Sequence, residues 1–194
     1  MRRGLRVLDK SEILKLLKED LGRARFDHSL RVEKTAVALA RKFGVSIKKA
    51  SIAALLHDCA RKYDRAGLLR AARRLKLKID PVSRLEPKLL HAELSARFAR
   101  KDFKINSPEI LSAIRKHTIG SERMSKLEKI IFLADHVEEG RRYKGVQKIR
   151  RLAFRDLDRA IIESTSRMLQ YLESKKLPVH PGTIRTRNYY LMKK

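Results

Sequence analysis

Cysteine occurs once in the 194 residues, at Cys59, and tryptophan not at all. A lone thiol closes no internal disulfide and, without a second cysteine, makes neither a zinc knuckle nor a dithiol redox pair; Cys59 reads as a small buried residue. Glycine (8) and proline (5) are scarce, while leucine, alanine, lysine and arginine abound and apolar residues recur at helical spacing rather than alternating. That pattern excludes a strand-rich chain and predicts an all-α fold. No apolar run reaches the roughly 18 residues of a membrane span. The start, MRRGLRVLDKSEILKLLKED, carries charge through the stretch that a signal peptide keeps apolar. A cytoplasmic protein with no membrane partner is expected, built as one domain with a continuous core.

Acidic residues are also in short supply: 22 Asp and Glu against 48 Lys and Arg leave a formal charge of +26. Such a field concentrates polyanions, so nucleotides, polyphosphates and RNA are the expected partners. Aromatic residues, at 6%, offer few platforms for stacking bases, and no nucleic-acid motif is recognisable, which weighs against a dedicated RNA-binding module.

Helix signals divide the chain. Ser11 is expected to open a first helix with an apolar stripe of Ile13, Leu14, Leu16, Leu17 and Leu21, ending near Gly22. Asp27 is expected to cap a second, stopped by Gly44, and Ser46 a third, IKKASIAALLHDCARK, apolar nearly all round from Ile52 to Leu56 and therefore central. Asp64 starts a shorter helix through Leu75, and KLKIDPVSRLEP reads as a connection. Pro87 and Ser107-Pro108 begin two more, and Ser125 with Glu128 has capping-box spacing before KIIFLADHVEE. A last helix spans roughly Asp156 to Lys175, followed by an extended tail, LPVHPGTIRTRNYYL.

Four of the six histidines fall on these helices among core-forming residues: His28, His57, His91 and His117. So do two aspartates, Asp58 and Asp135. A buried carboxylate costs several kcal/mol unless it is paired or bound to a metal. Imidazoles arriving from four helices would meet that need, and mixed nitrogen and oxygen ligation suits Fe, Mn, Co, Ni or catalytic Zn. His136 competes with Asp135, but neighbouring helical side chains diverge by about 100°, so it belongs in the surroundings of the site.

The order His28, His57-Asp58, His91, His117, Asp135 resembles that of the HD-domain metal-dependent phosphohydrolases, and specifically the YqeK family of symmetrical dinucleoside tetraphosphate hydrolases. The likeness runs through RFDHSLRVEKTAVALA, LLHDCAR, LLHAELSA, AIRKHTIG, LEKIIFLADHVEEGR and LPVHPGTIRTRN. It implies a single HD-domain helical bundle over residues 1–194, with a metal-binding core at about 24–140 and a C-terminal helix and tail at 141–194. It also implies a dinuclear centre, iron before Mn, Co, Ni or Zn. His28, His57, Asp58 and Asp135 would hold one ion, and Asp58 would bridge to a second held by His91 and His117. The chain departs from the family pattern at Cys59 (an aromatic), Arg61 (a lysine), His136 (a tyrosine) and Glu139 (a proline); none of these is a ligand position.

Two ions about 3.5–4 Å apart would lower the pKa of a bridging water and polarise a phosphoryl oxygen, which suits in-line attack on phosphorus. The expected reaction is cleavage of diadenosine tetraphosphate to two ADP by a metal-activated hydroxide, with Asp58 and Arg61 as the catalytic pair. Basic runs follow the ligands at 61–78 and 141–155, so Arg61 and Arg141 are candidate phosphate contacts. Thr118, beside His117, is a further candidate. His180, Thr183 and Asn188, in a family-like HPxTxxxxN pattern, are candidates to close over the nucleotide, whereas Tyr189 and Tyr190 read as core packing. Competing readings are another HD nucleotide phosphohydrolase, a nucleotidase or a guanosine alarmone hydrolase, and a basic RNA-binding module with a metal site. A homodimer is compatible with each.

Overall fold

A computed structural model of the protein describes residues 8–193; the basic start, residues 1–7, and Lys194 lie outside them. Among the described residues the chain is helical throughout, as its apolar spacing predicts, with eleven α-helices and no strand. They are α1 (Lys10–Asp20), α2 (Arg23–Phe43), α3 (Ile47–Leu56), α4 (Arg65–Arg74), α5 (Pro81–Leu85), α6 (His91–Lys101), α7 (Pro108–Lys116), α8 (Lys126–Val137), α9 (Val146–Ala153), α10 (Leu157–Ser174) and α11 (Pro181–Met192). Short 3₁₀ helices at Cys59–Lys62 and Pro87–Leu90 lead out of α3 and into α6. None of these helices is long and apolar enough to cross a membrane.

The caps explain most boundaries and several departures from the sequence expectation. Asp9, not Ser11, caps α1, because its carboxylate accepts from Glu12 N at 3.0 Å while Glu12 Oε2 accepts from Asp9 N at 2.8 Å. Gly22 precedes α2, so Asp27 lies inside the helix and faces Arg23 at i,i+4 instead of capping. Ser46, Asp64, Ser107 and Ser125 cap where expected. The connection at 76–87 contains the short helix α5, and residues 146–153 form α9. The tail expected to be extended is instead α11: Pro181 occupies its first turn and His180 Nδ1 accepts from Gly182 N at 2.9 Å. Its Tyr190 is buried, its hydroxyl accepting from Met124 N at 2.9 Å, which docks α11 on the loop before α8.

α3 is the central element. Every residue from Ala50 to Leu56 is buried, with α2, α7 and α8 packed around it. Its alanines let those backbones come close, and the surrounding helices carry the functional side chains inward.

The loop between α7 and α8 turns at Gly120, whose φ is +78 and where a Cβ would lie 2.6 Å from Thr186 Cγ2 of α11. Gly120→Ala therefore meets both a strained backbone and a clash. It is expected to destabilise the fold by about 1–3 kcal/mol, read as a lowered Tm; a Tm equal to that of the parent would show that α11 does not brace this loop.

Candidate metal centre

The third helix stops just before its polar pair. Asp58 has φ −111 and ψ 13, outside the α region, and starts the 3₁₀ turn. A continuous α-helix through Lys62, the sequence expectation, would splay His57 and Asp58 by about 100°. The break lets both enter one cluster, with His57 Nε2 3.5 Å from Asp58 Oδ2. His91 opens α6, His117 closes α7, His28 lies in the second turn of α2 and Asp135 in the last turn of α8. All six expected ligand residues converge: the trios His28/His57/Asp58, His57/His117/Asp135 and Asp58/His91/His117 each have their ligand atoms within 4.8 Å of one another.

Asp58 lies at the centre. Its Oδ2 faces His57 Nε2 and His28 Nε2 (3.9 Å), and its Oδ1 faces His91 Nε2 (3.1 Å) and His117 Nε2 (3.8 Å). One carboxylate thus presents an oxygen to each of two histidine pairs. Asp135 Oδ1 lies 3.0 Å from His28 Nε2 and 3.9 Å from His57 Nε2.

The backbone sets the histidine tautomers. His57 Nδ1–H donates to Ala54 O at 2.6 Å and His117 Nδ1–H to Ile114 O at 2.7 Å, both carbonyls left over in a last helical turn. His91 Nδ1–H donates to Lys88 O. His28 Nδ1–H donates to Glu138 Oε1 at 3.3 Å. Because a carbonyl only accepts, the Nδ1 of His57, His91 and His117 carries the proton and the Nε2 of each turns a lone pair inward, whereas His28 stands between two carboxylates, Glu138 at Nδ1 and Asp135 at Nε2.

Those lone pairs meet other acceptors. His28 Nε2 faces the Asp135 carboxylate at 3.0 Å. His28 Nε2 and His57 Nε2 are buried and find no well-formed hydrogen bond among the described residues. His91 Nε2 and His117 Nε2 stand 3.0 Å apart, with the single Thr118 hydroxyl 3.1 and 3.0 Å from them. Lone pairs converging on carboxylate oxygens, with no sulfur, form a donor set that fits metal cations.

The electrostatics agree. Burial pushes His57 down and His117 down to about 3, against the upward pull of the Asp58 and Asp135 carboxylates. Burial alone would raise the Asp58 and Asp135 carboxyls. For Asp58 this is overcome by His57 and His91, and for Asp135 by His28, His57 and Arg141, so both stay ionised, well below the usual carboxylate range. Burial raises the Cys59 thiol to about 12, and its Sγ–H faces Ser95 O at 3.6 Å, in keeping with a packing residue.

A cavity of about 270 Å³ opens over the cluster, lined by Arg25, Asp58, Arg61, His91, Thr118 and Arg141. A second, of about 610 Å³, continues from it past Arg25, Arg61 and Arg141. Arg61, Thr118 and Arg141 thus line the space over the histidine–aspartate cluster. Arg141 Nη2 donates to Asp135 Oδ1 at 2.5 Å and its Nε to Asp135 O at 2.8 Å. His180, Thr183 and Asn188 are not brought there. His180 caps α11 and lies 3.6 Å from Asp80, Thr183 is buried, and the Asn188 amide oxygen accepts from Arg187. The tail's helical form turns them to packing and capping instead.

Two residues escaped sequence reasoning. Arg25 donates to Asp58 Oδ2 at 2.7 Å; its only signal was a position one turn before His28. Glu138, buried, accepts from His28, from Arg31 Nε at 2.7 Å and from Gly140 N at 2.5 Å, and stood unweighted within ADHVEEGR.

Comparison with known proteins agrees with this geometry. The HD-domain family profile matches residues 25–140. The symmetrical bis(5'-nucleosyl)-tetraphosphatase of Halalkalibacterium halodurans is 38% identical, covering 95% of this chain and 98% of the relative. The protein of the same name from Bacillus subtilis is 36% identical, over 94% of this chain and 97% of the relative. A crystal structure from Clostridium acetobutylicum, described as a predicted HD superfamily hydrolase involved in NAD metabolism, superposes with a TM-score of 0.94 at 34% identity, covering 97% of this chain and 100% of that one.

Proposed function

The chain belongs to the HD-domain family, and from that premise we propose that it is a symmetrical dinucleoside tetraphosphate hydrolase, cleaving diadenosine tetraphosphate to two ADP. Full-length relatives that carry this activity in their names support the substrate. The observation that carries the chemistry is Asp58 presenting its two oxygens to two separate histidine pairs. In this reading His28, His57, Asp58 and Asp135 hold one ion, and Asp58, His91 and His117 a second. Iron is the first choice because the family resemblance implies it; the donors, imidazoles and carboxylates without thiolate, suit Mn, Co, Ni or Zn as well. Such a pair of ions, when bound, supplies Lewis acidity toward phosphoryl oxygens and ionises water near neutral pH.

The chain's own residues do the rest. A water oxygen bonds to one of the two inner phosphorus atoms, the central bridging P–O bond breaks, and its oxygen leaves as part of the second ADP. Charge spreads over the phosphoryl oxygens as this happens. Arg25, Arg61 and Arg141 line the cavity where those oxygens would lie, and the ion pairs of Arg25 with Asp58 and of Arg141 with Asp135 orient two of these guanidinium forks toward the developing charge. Arg141, clamped by Asp135, presents its remaining donors to the cavity. The Thr118 hydroxyl adds a donor beside His91 and His117. The +26 charge steers a polyanionic substrate inward; RNA binding by that surface and a homodimer are separate propositions that this reaction does not need. We also read the chain as one domain, in which the segment around 24–140 holds the ions and 141–194 completes the walls.

The test is product analysis. Protein prepared without oxygen, loaded with ferrous iron and given diadenosine tetraphosphate should yield ADP alone, separated by chromatography. ATP plus AMP overturns symmetrical cleavage, and intact substrate overturns the activity.

A further inference from the structure

One sizeable cavity does not lie over the candidate ligands. It holds about 810 Å³, within the roughly 300–1,000 Å³ typical of small-molecule sites, between the end of α8, the loop before α9 and α10. Ser164, Met168 and Tyr171 of α10 line it at spacings of four and three, one face of the helix, and Tyr143 and His136 stand opposite.

Two observations mark it as a ligand site. The Ser164 hydroxyl is buried, 2% exposed, and has no hydrogen-bond partner among the described residues, although a helical serine can ordinarily bond back to the preceding turn. A buried hydroxyl left unsatisfied is costly, and a ligand polar atom would meet it. Around it stand the aromatic surfaces of Tyr143 and Tyr171, 39% and 58% exposed. The wall is held in place: His136 stacks on Phe132 with ring centroids 4.4 Å apart, and Tyr143 Oη donates to His136 O at 2.9 Å.

The cavity also has a fixed relation to the metal centre. Asp135 and His136 are consecutive on α8, so one side chain enters the metal cluster and the other this cavity. Arg141 lines both. A molecule seated on Ser164 and Met168 would lead its phosphates past Arg141 to Asp58.

We propose that this cavity binds the nucleoside of one half of the substrate, its base against Met168 and between Tyr143 and Tyr171, with a polar edge on the Ser164 hydroxyl. The inference rests on the dinucleoside tetraphosphate reading. It assigns nucleoside recognition to α10 and leaves the phosphates to the arginines. Base–aromatic contacts of this kind tolerate different bases, so the site selects a nucleoside over a bare polyphosphate more strongly than one base over another.

The test compares ADP with inorganic pyrophosphate by calorimetric titration of the metal-loaded protein, with metal content measured for every variant. Met168→Trp fills the cavity and should weaken ADP tenfold or more, leaving pyrophosphate within about twofold. Tyr171→Ala, at an exposed position that does not endanger folding, should weaken ADP several-fold with the same pyrophosphate control. Ser164→Ala should do likewise. ADP affinity unchanged in Tyr171→Ala and Met168→Trp overturns the proposal, as does an equal loss for both ligands or no ADP binding by the parent. The hydrolase reading fails separately: a parent protein that binds ADP in the cavity but does not cleave diadenosine tetraphosphate keeps the site and loses the reaction.

Discussion

Asp58→Asn is expected to lower turnover of diadenosine tetraphosphate by about three orders of magnitude or more while leaving the fold intact. The substitution keeps the shape of the side chain and removes its charge and one of its two acceptor oxygens. In the protein those oxygens are divided between His28 and His57 on one side and His91 and His117 on the other. An amide can offer an oxygen to only one side. A pair of ions held on these two sides would contribute several kcal/mol of charge stabilisation in the transition state, and each 1.4 kcal/mol is a factor of ten in rate. Metal analysis should show the stoichiometry falling below that of the parent. Near-parental turnover by a preparation with reduced metal content would refute a bridging role for Asp58.

Glu138→Ala should cost about 10–100-fold in metal affinity, the usual effect of removing a partner that orients a ligating histidine. Glu138 is not among the residues whose ligand atoms meet in the cluster. It is buried and holds the Nδ1–H of His28, and so decides which nitrogen of that ring faces Asp135. Without it the proton is free to move to Nε2, where it would block ligation. Arg31, its other partner, would also lose its anchor. Glu138→Gln, which keeps a carbonyl to accept from His28, should recover most of the affinity. The measurement is competition with a chelator of known affinity. If Ala and Gln variants lose metal equally, charge rather than tautomer control is the role of Glu138.

The site was legible because its residues betray themselves locally. His57-Asp58 follows the run AALL, His117 shares a helical face with Ile110, Ala113 and Ile114, and Asp135 sits in FLADH, so each polar group stands among residues that must be buried. The C-terminal segment was misjudged for an equally local reason. LPVHPGTIRTRNYYL lacks a clear apolar period, and the stability of α11 comes from the His180 cap and from Tyr190 docking on Met124, a partner 66 positions away. His180, Thr183 and Asn188 consequently pack and cap rather than close over the substrate cavity.

Periodicity, capping residues and composition were sufficient for an all-α chain, for most of its helix starts and for the six residues that meet in the cluster, because each depends on neighbours within a turn or two along the chain. They could not place Arg25 on Asp58, hand the two oxygens of one carboxylate to two histidine pairs, bring Glu138 to Nδ1 of His28, or leave the Ser164 hydroxyl without a partner among the described residues in a cavity against α8. These features arise where helices far apart in sequence are brought to within a few ångströms by burial of α3 among α2, α7 and α8. A distance across such a contact is set by the packing of both helices together, and neither segment carries it alone.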